Sequence, residues 1–150
     1  MFVVDTNVFV AALDGAAQGH AVCRAHVERW RRGTAPWATT WNVLYEFLRV
    51  VTHTRVLRAP LALPQALAFI DALRASPSLQ ILGHGARHPE VLGEIVRTSA
   101  PLSGNLVFDL HTAVILKEHG VRTIVTRDVD FARFAFLDVV DPLAPGARVP

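Results

Sequence analysis

Short apolar runs separated by stretches of helical length limit what this chain can fold into. Residues 2–4, 35–38, 79–82, 121–125 and 137–140 read as five strands. Between them the 3.6-residue period predicts helices over about 7–13, 20–32, 40–53, 64–75, 89–99 and 105–119. Thr39-Thr40 offers an N-cap, Pro64 a first-turn residue, and Gly33 and Gly120 the stops. Parallel strands need a crossover of a dozen or more residues, and helices of these lengths supply it. The pattern therefore predicts an α/β domain around a parallel sheet of about five strands. At 150 residues the chain is one domain, expected to span 1–142 with 143–150 as a flexible tail. No repeat or interdomain linker interrupts it.

Composition narrows the surroundings. No apolar run reaches the ~18 residues of a membrane span. The N-terminus has no basic leader and carries Asp5 where a signal peptide would be apolar, so a cytoplasmic protein is expected. Cys23 is the single cysteine, which excludes an internal disulfide and any multi-cysteine zinc site. Of 15 basic residues all but Lys117 are arginines. The guanidinium fork suits phosphate, although genome composition also produces such a bias.

In open parallel sheets ligands bind at the carboxyl ends of the strands. The first strand ends on Asp5, and the fourth runs into Thr126-Arg127-Asp128-Val129-Asp130. Two acidic strand ends are a stronger signal than one, since a lone Asp often serves only as a turn or cap residue. A third carboxylate is misplaced on its helix. At ~100° per residue, Asp109 points with Leu106, Ala113 and Leu116, while His111 and Glu118 fall nearly opposite. Glu46 sits at the margin of the apolar face of its own helix, where a pair with Arg49 at i+3 is the plain alternative.

If Asp5, Glu46, Asp109, Asp128 and Asp130 converge, they cannot all ionise without a cation. Oxygen donors suit hard divalent ions, Mg²⁺ or Mn²⁺, one or two per site. Two ions ~3.5–4 Å apart stabilise both the attacking and the leaving oxygen of a phosphodiester. On this reading Asp5 ends a buried strand because the strand is a rigid mount, and Asn7 fixes the turn that follows.

Taken in order, VVDTNVFVAAL, NVLYEFLRV, NLVFDLHTAVILKEHG and IVTRDVDF resemble the PIN domain, and more closely its VapC-type ribonuclease toxins. The resemblance runs from about residue 3 to about 140. It implies a three-layer α/β/α PIN-like domain. It also implies that Asp5, Glu46, Asp109 and Asp128 are the catalytic, metal-holding carboxylates, with Asp130 an auxiliary one and Asn105 and Thr126 their polar supports. It further implies RNA cleavage with Mg²⁺ or Mn²⁺, a homodimer, and a cognate VapB-type antitoxin that inserts a C-terminal segment into a groove. The RNA is not specified; tRNA and exposed ribosomal loops are both common targets of such toxins.

For the RNA backbone, Arg127 is the first choice because it lies inside the acidic motif, with Arg49 second. Arg24, Arg29, Arg31 and Arg32 around Trp30, and Arg55, are further candidates. Trp37 and Trp41 are assigned to core or interface, and no histidine is assigned to catalysis. A haloacid-dehalogenase-type phosphatase would need a second Asp where Asn7 stands. A receiver domain would need an acidic pair after the first strand and a Lys late in the sheet, yet Lys117 lies in a helix. The alternatives left are a PIN-type RNA-processing nuclease without an antitoxin, and a non-catalytic binding module, which would be expected to lose acidic positions.

Overall fold

The computed structural model describes every residue, Met1–Pro150. Five parallel strands form one sheet in the order β3-β2-β1-β4-β5, with β1 Phe2–Val4, β2 Trp37–Thr40, β3 Leu79–Leu82, β4 Thr123–Val125 and β5 Asp138–Val140. Six helices cover it: α1 Thr6–Leu13, α2 His20–Arg32, α3 Trp41–Val51, α4 Leu63–Arg74, α5 His88–Thr98 and α6 Leu106–Glu118. A short 3-10 helix, Val129–Arg133, follows β4.

The central strands are apolar on both sides because both sides are covered. Val3 pairs in register with Ala38 and Ile124, and these three face α5 and α6. Phe2, Val4, Trp37 and Val125 face the other way, into a core built with α1, α2, α3 and α4. The result is the expected three-layer α/β/α sandwich.

Element boundaries differ from the sequence expectation in informative places. The second strand runs 37–40 instead of 35–38, because Pro36 has no N–H for the ladder and the first ladder donor is Trp37 N–H to Ser78 O at 3.2 Å. Thr40 does double duty, ending β2 and capping α3 by accepting from Val43 N–H. The first helix starts at Thr6, one residue early, because Asp5 is its N-cap. The fourth strand starts at Thr123; Val121 N–H instead bonds to Leu116 O and closes the end of α6, around Gly120 at φ +65°.

The closing residues, expected to fray, lie against α2. Trp30 Nε1 donates to Pro150 O at 2.6 Å, and Arg29 donates to the same oxygen. Leu143 packs so close to Gly19 that a Cβ there would collide with it, and Gly19 also holds φ +81°. No helix is long and apolar enough to cross a membrane.

Candidate active site

The sheet order reverses at β1: the chain runs out to β3 on one side, then returns to β4 on the other. Ligand crevices form outside the carboxyl ends of strands at such a reversal. Here Asp5 leaves β1 and Thr126 leaves β4, and the Asp5 N–H continues the ladder to Val125 O at 3.1 Å.

Asp5 is buried and gripped by three donors. Oδ1 accepts from Thr6 N–H at 2.7 Å; Oδ2 accepts from the Thr126 hydroxyl at 2.6 Å and from Asn7 Nδ2 at 2.8 Å. Asn7 also donates to Thr126 Oγ1 at 2.8 Å and accepts from Arg127 N–H at 3.0 Å. Asp128 N–H donates to Thr126 Oγ1 at 3.0 Å, while the Asp128 carboxylate caps the 3-10 helix through Asp130 N–H at 2.9 Å. Asn7 and Thr126 therefore lock the ends of β1 and β4 together, as support for the carboxylates.

A cleft of about 820 Å³ opens above them, and all five acidic candidates line it: Asp5, Glu46, Asp109, Asp128 and Asp130. Asn105 lines it too, at the N-cap of α6. Glu46 accepts from the Thr6 hydroxyl at 2.9 Å and from Arg49 at 3.2 Å, so the i+3 pair and the shared site are both real. Asp130 pairs with Arg133 at 3.0 Å. Arg49 lines the cleft. Arg127 does not; its guanidinium turns to Gln18 O at 3.3 Å. On α2, Arg29 is spent on the Val149 and Pro150 carbonyls, and Arg31 and Arg32 pair with Glu28.

The electrostatics record an uncompensated cluster. Burial outweighs the donors from Thr126 and Thr6 and, with repulsion from Glu46 and Asp109, pushes Asp5 up to about 7. Burial, then the charges of Asp128, Glu46 and Asp130, push Asp109 up to about 6, with no hydrogen bond relieving it. No three such side chains stand close enough to form a ready-made metal clasp. The donor set is nonetheless all oxygen on a shared cleft, which fits a hard cation that keeps part of its water shell.

Several lining residues were not anticipated. Asn42 and Thr112 bond across the cleft from α3 to α6, and the buried Asn42 Oδ1 is left without a partner. Asn42 sits four residues before Glu46 and Thr112 three after Asp109, a helical spacing that offered the signal. Tyr45 and Phe108 stand at the mouth, both about two-thirds exposed (69% and 68%). His111 also lines the cleft, although the helical wheel sets it nearly opposite Asp109.

Comparison with known proteins finds relatives over nearly the whole chain. The family model for the PIN domain matches residues 2–137. Ribonuclease VapC48 of Mycobacterium tuberculosis is 32% identical over 140 residues, 93% of this chain and 96% of that protein. The VapBC2 structure from Rickettsia felis, bound to a DNA fragment from its promoter, superposes with a TM-score of 0.64 at 20% identity, covering 92% of this chain and 96% of that one. M. tuberculosis VapC20, described as a sarcin-ricin loop cleaving toxin, superposes with a TM-score of 0.62 at 18% identity, covering 88% and 93%.

Proposed function

The chain belongs to the PIN domain family, and from that premise we propose that it is a divalent-metal-dependent endoribonuclease, the toxin of a VapBC-type pair. The observation that carries the reading is the convergence of Asp5, Glu46, Asp109, Asp128 and Asp130 on one cleft at the sheet's reversal point. Asp5, Glu46, Asp109 and Asp128 would hold the metal, with Asp130 beside them. Bound Mg²⁺ or Mn²⁺ would supply charge neutralisation, polarisation of a phosphate oxygen and activation of water.

The chain's own residues position that chemistry. Asp5 is immobilised by Thr6, Asn7 and Thr126, so its carboxylate meets the substrate in one orientation. The Thr6 hydroxyl steadies Glu46 on the far wall. Arg49, paired with Glu46, is the cation placed to take a phosphate in exchange. Exposed Tyr45 and Phe108 give unpaired bases aromatic faces at the entrance. The exposed apolar side chains of Trp41, Tyr45, Val107 and Phe108 support a protein-facing surface beside the cleft. On this reading the proteins met there are a VapB-type antitoxin and a second copy of the chain. tRNA and ribosomal RNA are the substrates to test.

The test is cleavage of total tRNA and ribosomal RNA by the antitoxin-free protein with Mg²⁺, Mn²⁺ or EDTA, alongside Asp109→Asn. Cuts at a few discrete sites, abolished by EDTA and by Asp109→Asn, are expected. A folded protein that neither cuts nor binds Mn²⁺ overturns the reading.

A further inference from the structure

Beside the cleft, which only His111 of the three lines, three imidazoles meet, away from the network that holds Asp5. His84 lies in the turn after β3, His88 opens α5, and His111 is in the first half of α6. The ring centroids of His84 and His88 are 5.5 Å apart, and those of His88 and His111 also 5.5 Å, both edge to face. Glu118 Oε2 meets His88 Nδ1 at 2.8 Å, although the Glu118 side chain is only 5% exposed. Gly85 N–H points at the same carboxylate, 3.2 and 3.1 Å from its two oxygens. A Cβ at Gly85 would stand 3.1 Å from Glu118 Oε1, so glycine lets the turn close on it.

The spacing is that of ordinary edge-to-face rings, about 4.5–7 Å, and it also matches shared ligation of one ion. A Zn–N bond of about 2.0–2.1 Å places a ligand ring's centroid about 3.2 Å from the ion, so two rings on a tetrahedral ion stand about 5 Å apart. Both observed separations are close to that value. With Glu118 accepting from Nδ1–H, His88 keeps its Nε2 lone pair free. This is the carboxylate–histidine arrangement that supports metal-bound imidazoles. As they stand, no three of these side chains form a group that could hold a metal ion, so binding requires a ring to reorient. His84 is exposed, on a turn flanked by Gly83 and Gly85, and its ring can rotate to complete the set.

We propose that His84, His88 and His111, with Glu118 behind His88, form a second cation site for a borderline-soft divalent metal of the zinc class. Imidazole donors select zinc, nickel or copper, whereas the carboxylate cleft selects magnesium or manganese. The site ties the turn after β3 to α6. Because His111 also lines the cleft, a metal there fixes part of the cleft's wall.

The test uses the untagged, metal-stripped chain in millimolar Mg²⁺, added to compete with zinc at the carboxylates. Zn²⁺ is titrated against a chromophoric chelator, and Cu²⁺ is added separately for EPR. One equivalent of Zn²⁺ should bind at micromolar affinity or tighter. His84→Ala and His88→Ala should each weaken it at least tenfold, and Glu118→Gln about tenfold. His84→Cys should restore zinc, and Asp109→Asn should leave it unchanged. The Cu²⁺ spectrum should show coupling to at least two nitrogens. His84 is exposed, so its variants keep the fold even if His88→Ala does not. Unchanged zinc affinity in His84→Ala, or its loss in Asp109→Asn, overturns the proposal. Neither readout requires RNA cleavage, so a failed ribonuclease assay leaves this result standing.

Discussion

The Thr126 hydroxyl donates to Asp5 Oδ2 at 2.6 Å, joining the ends of two adjacent strands that lie 121 residues apart in sequence. Thr126 Oγ1 in turn accepts from Asn7 Nδ2 and from Asp128 N–H. One buried hydroxyl thus orients Asp5 directly and Asp128 through its backbone.

Thr126→Val keeps the shape of that side chain and removes its polarity. Asn7 and Asp128 N–H then lose an acceptor, a cost of about 1–3 kcal/mol in a buried network. The groups behind metal ligands typically govern activity by about 10–100-fold. Urea unfolding should show the first loss and RNA cleavage the second, while Thr126→Ser should recover most of both. A fully active Thr126→Val would mean that Asp5 is held well enough by Thr6 and Asn7 alone.

The sequence exposed this site unevenly, for physical reasons. Asp5 and Asp128 were legible as candidates because two strand ends each carried a carboxylate, a stronger signal than one. Asp109 was legible because it breaks the pattern of a helix buried on most sides. Thr6 and Asn42 were not, since a small polar residue near a helix start is common and their role depends on which helix lies opposite. Arg127 lies away from the cleft for a related reason. Its place inside the acidic motif fixes its backbone, which bonds to Asn7, whereas the side chain leaves toward Gln18. The parallel sheet and its strand count followed from periodicity, and the three layers from the family resemblance. The order β3-β2-β1-β4-β5 did not, because it is set by pairing between distant segments.

Asp109→Asn should stabilise the metal-free protein at alkaline pH. The folded-state value of about 6 lies above the ordinary 3.8, so the native state holds a proton that the unfolded chain has already released. Wild-type stability therefore falls as pH rises from about 4 through 6, and the penalty is fully developed by pH 8. Asn carries no charge and escapes it. Because Asp109 is only half-buried, solvent screening reduces the gain to about 1 kcal/mol. Denaturation at pH 8 and pH 4 should show the difference at the first and its disappearance at the second. Equal stability at pH 8 would mean that Asp109 is not strained by its neighbours.

Metal binding should expel protons in the same pH range. Asp5 at about 7 and Asp109 at about 6 are partly protonated near pH 6.5, and a ligating carboxylate must be ionised. Calorimetric titration of Mn²⁺ in two buffers of different ionisation enthalpy should report a net release of between about half a proton and one proton at pH 6.5. At pH 8.5 the release should vanish. Mn²⁺ should accordingly raise the melting temperature more at pH 8 than at pH 5. Release that does not change with pH would separate the metal site from these two carboxylates.

Arg49 and Arg127 should separate cleanly in RNA binding. Arg49 is 66% exposed and paired with Glu46, so Arg49→Ala should change stability by less than about 0.5 kcal/mol. It lines the cleft, however, and a guanidinium that contacts one phosphate contributes about one unit to the slope of log affinity against log salt. Arg127 bonds to Gln18 O and does not line the cleft, so Arg127→Ala should leave the slope unchanged. Binding of a labelled RNA by the cleavage-deficient Asp109→Asn protein, measured across a salt series with each arginine variant added, reads both slopes. A slope reduced by Arg127→Ala and not by Arg49→Ala would place the RNA path over α1 and α2 instead of over α3.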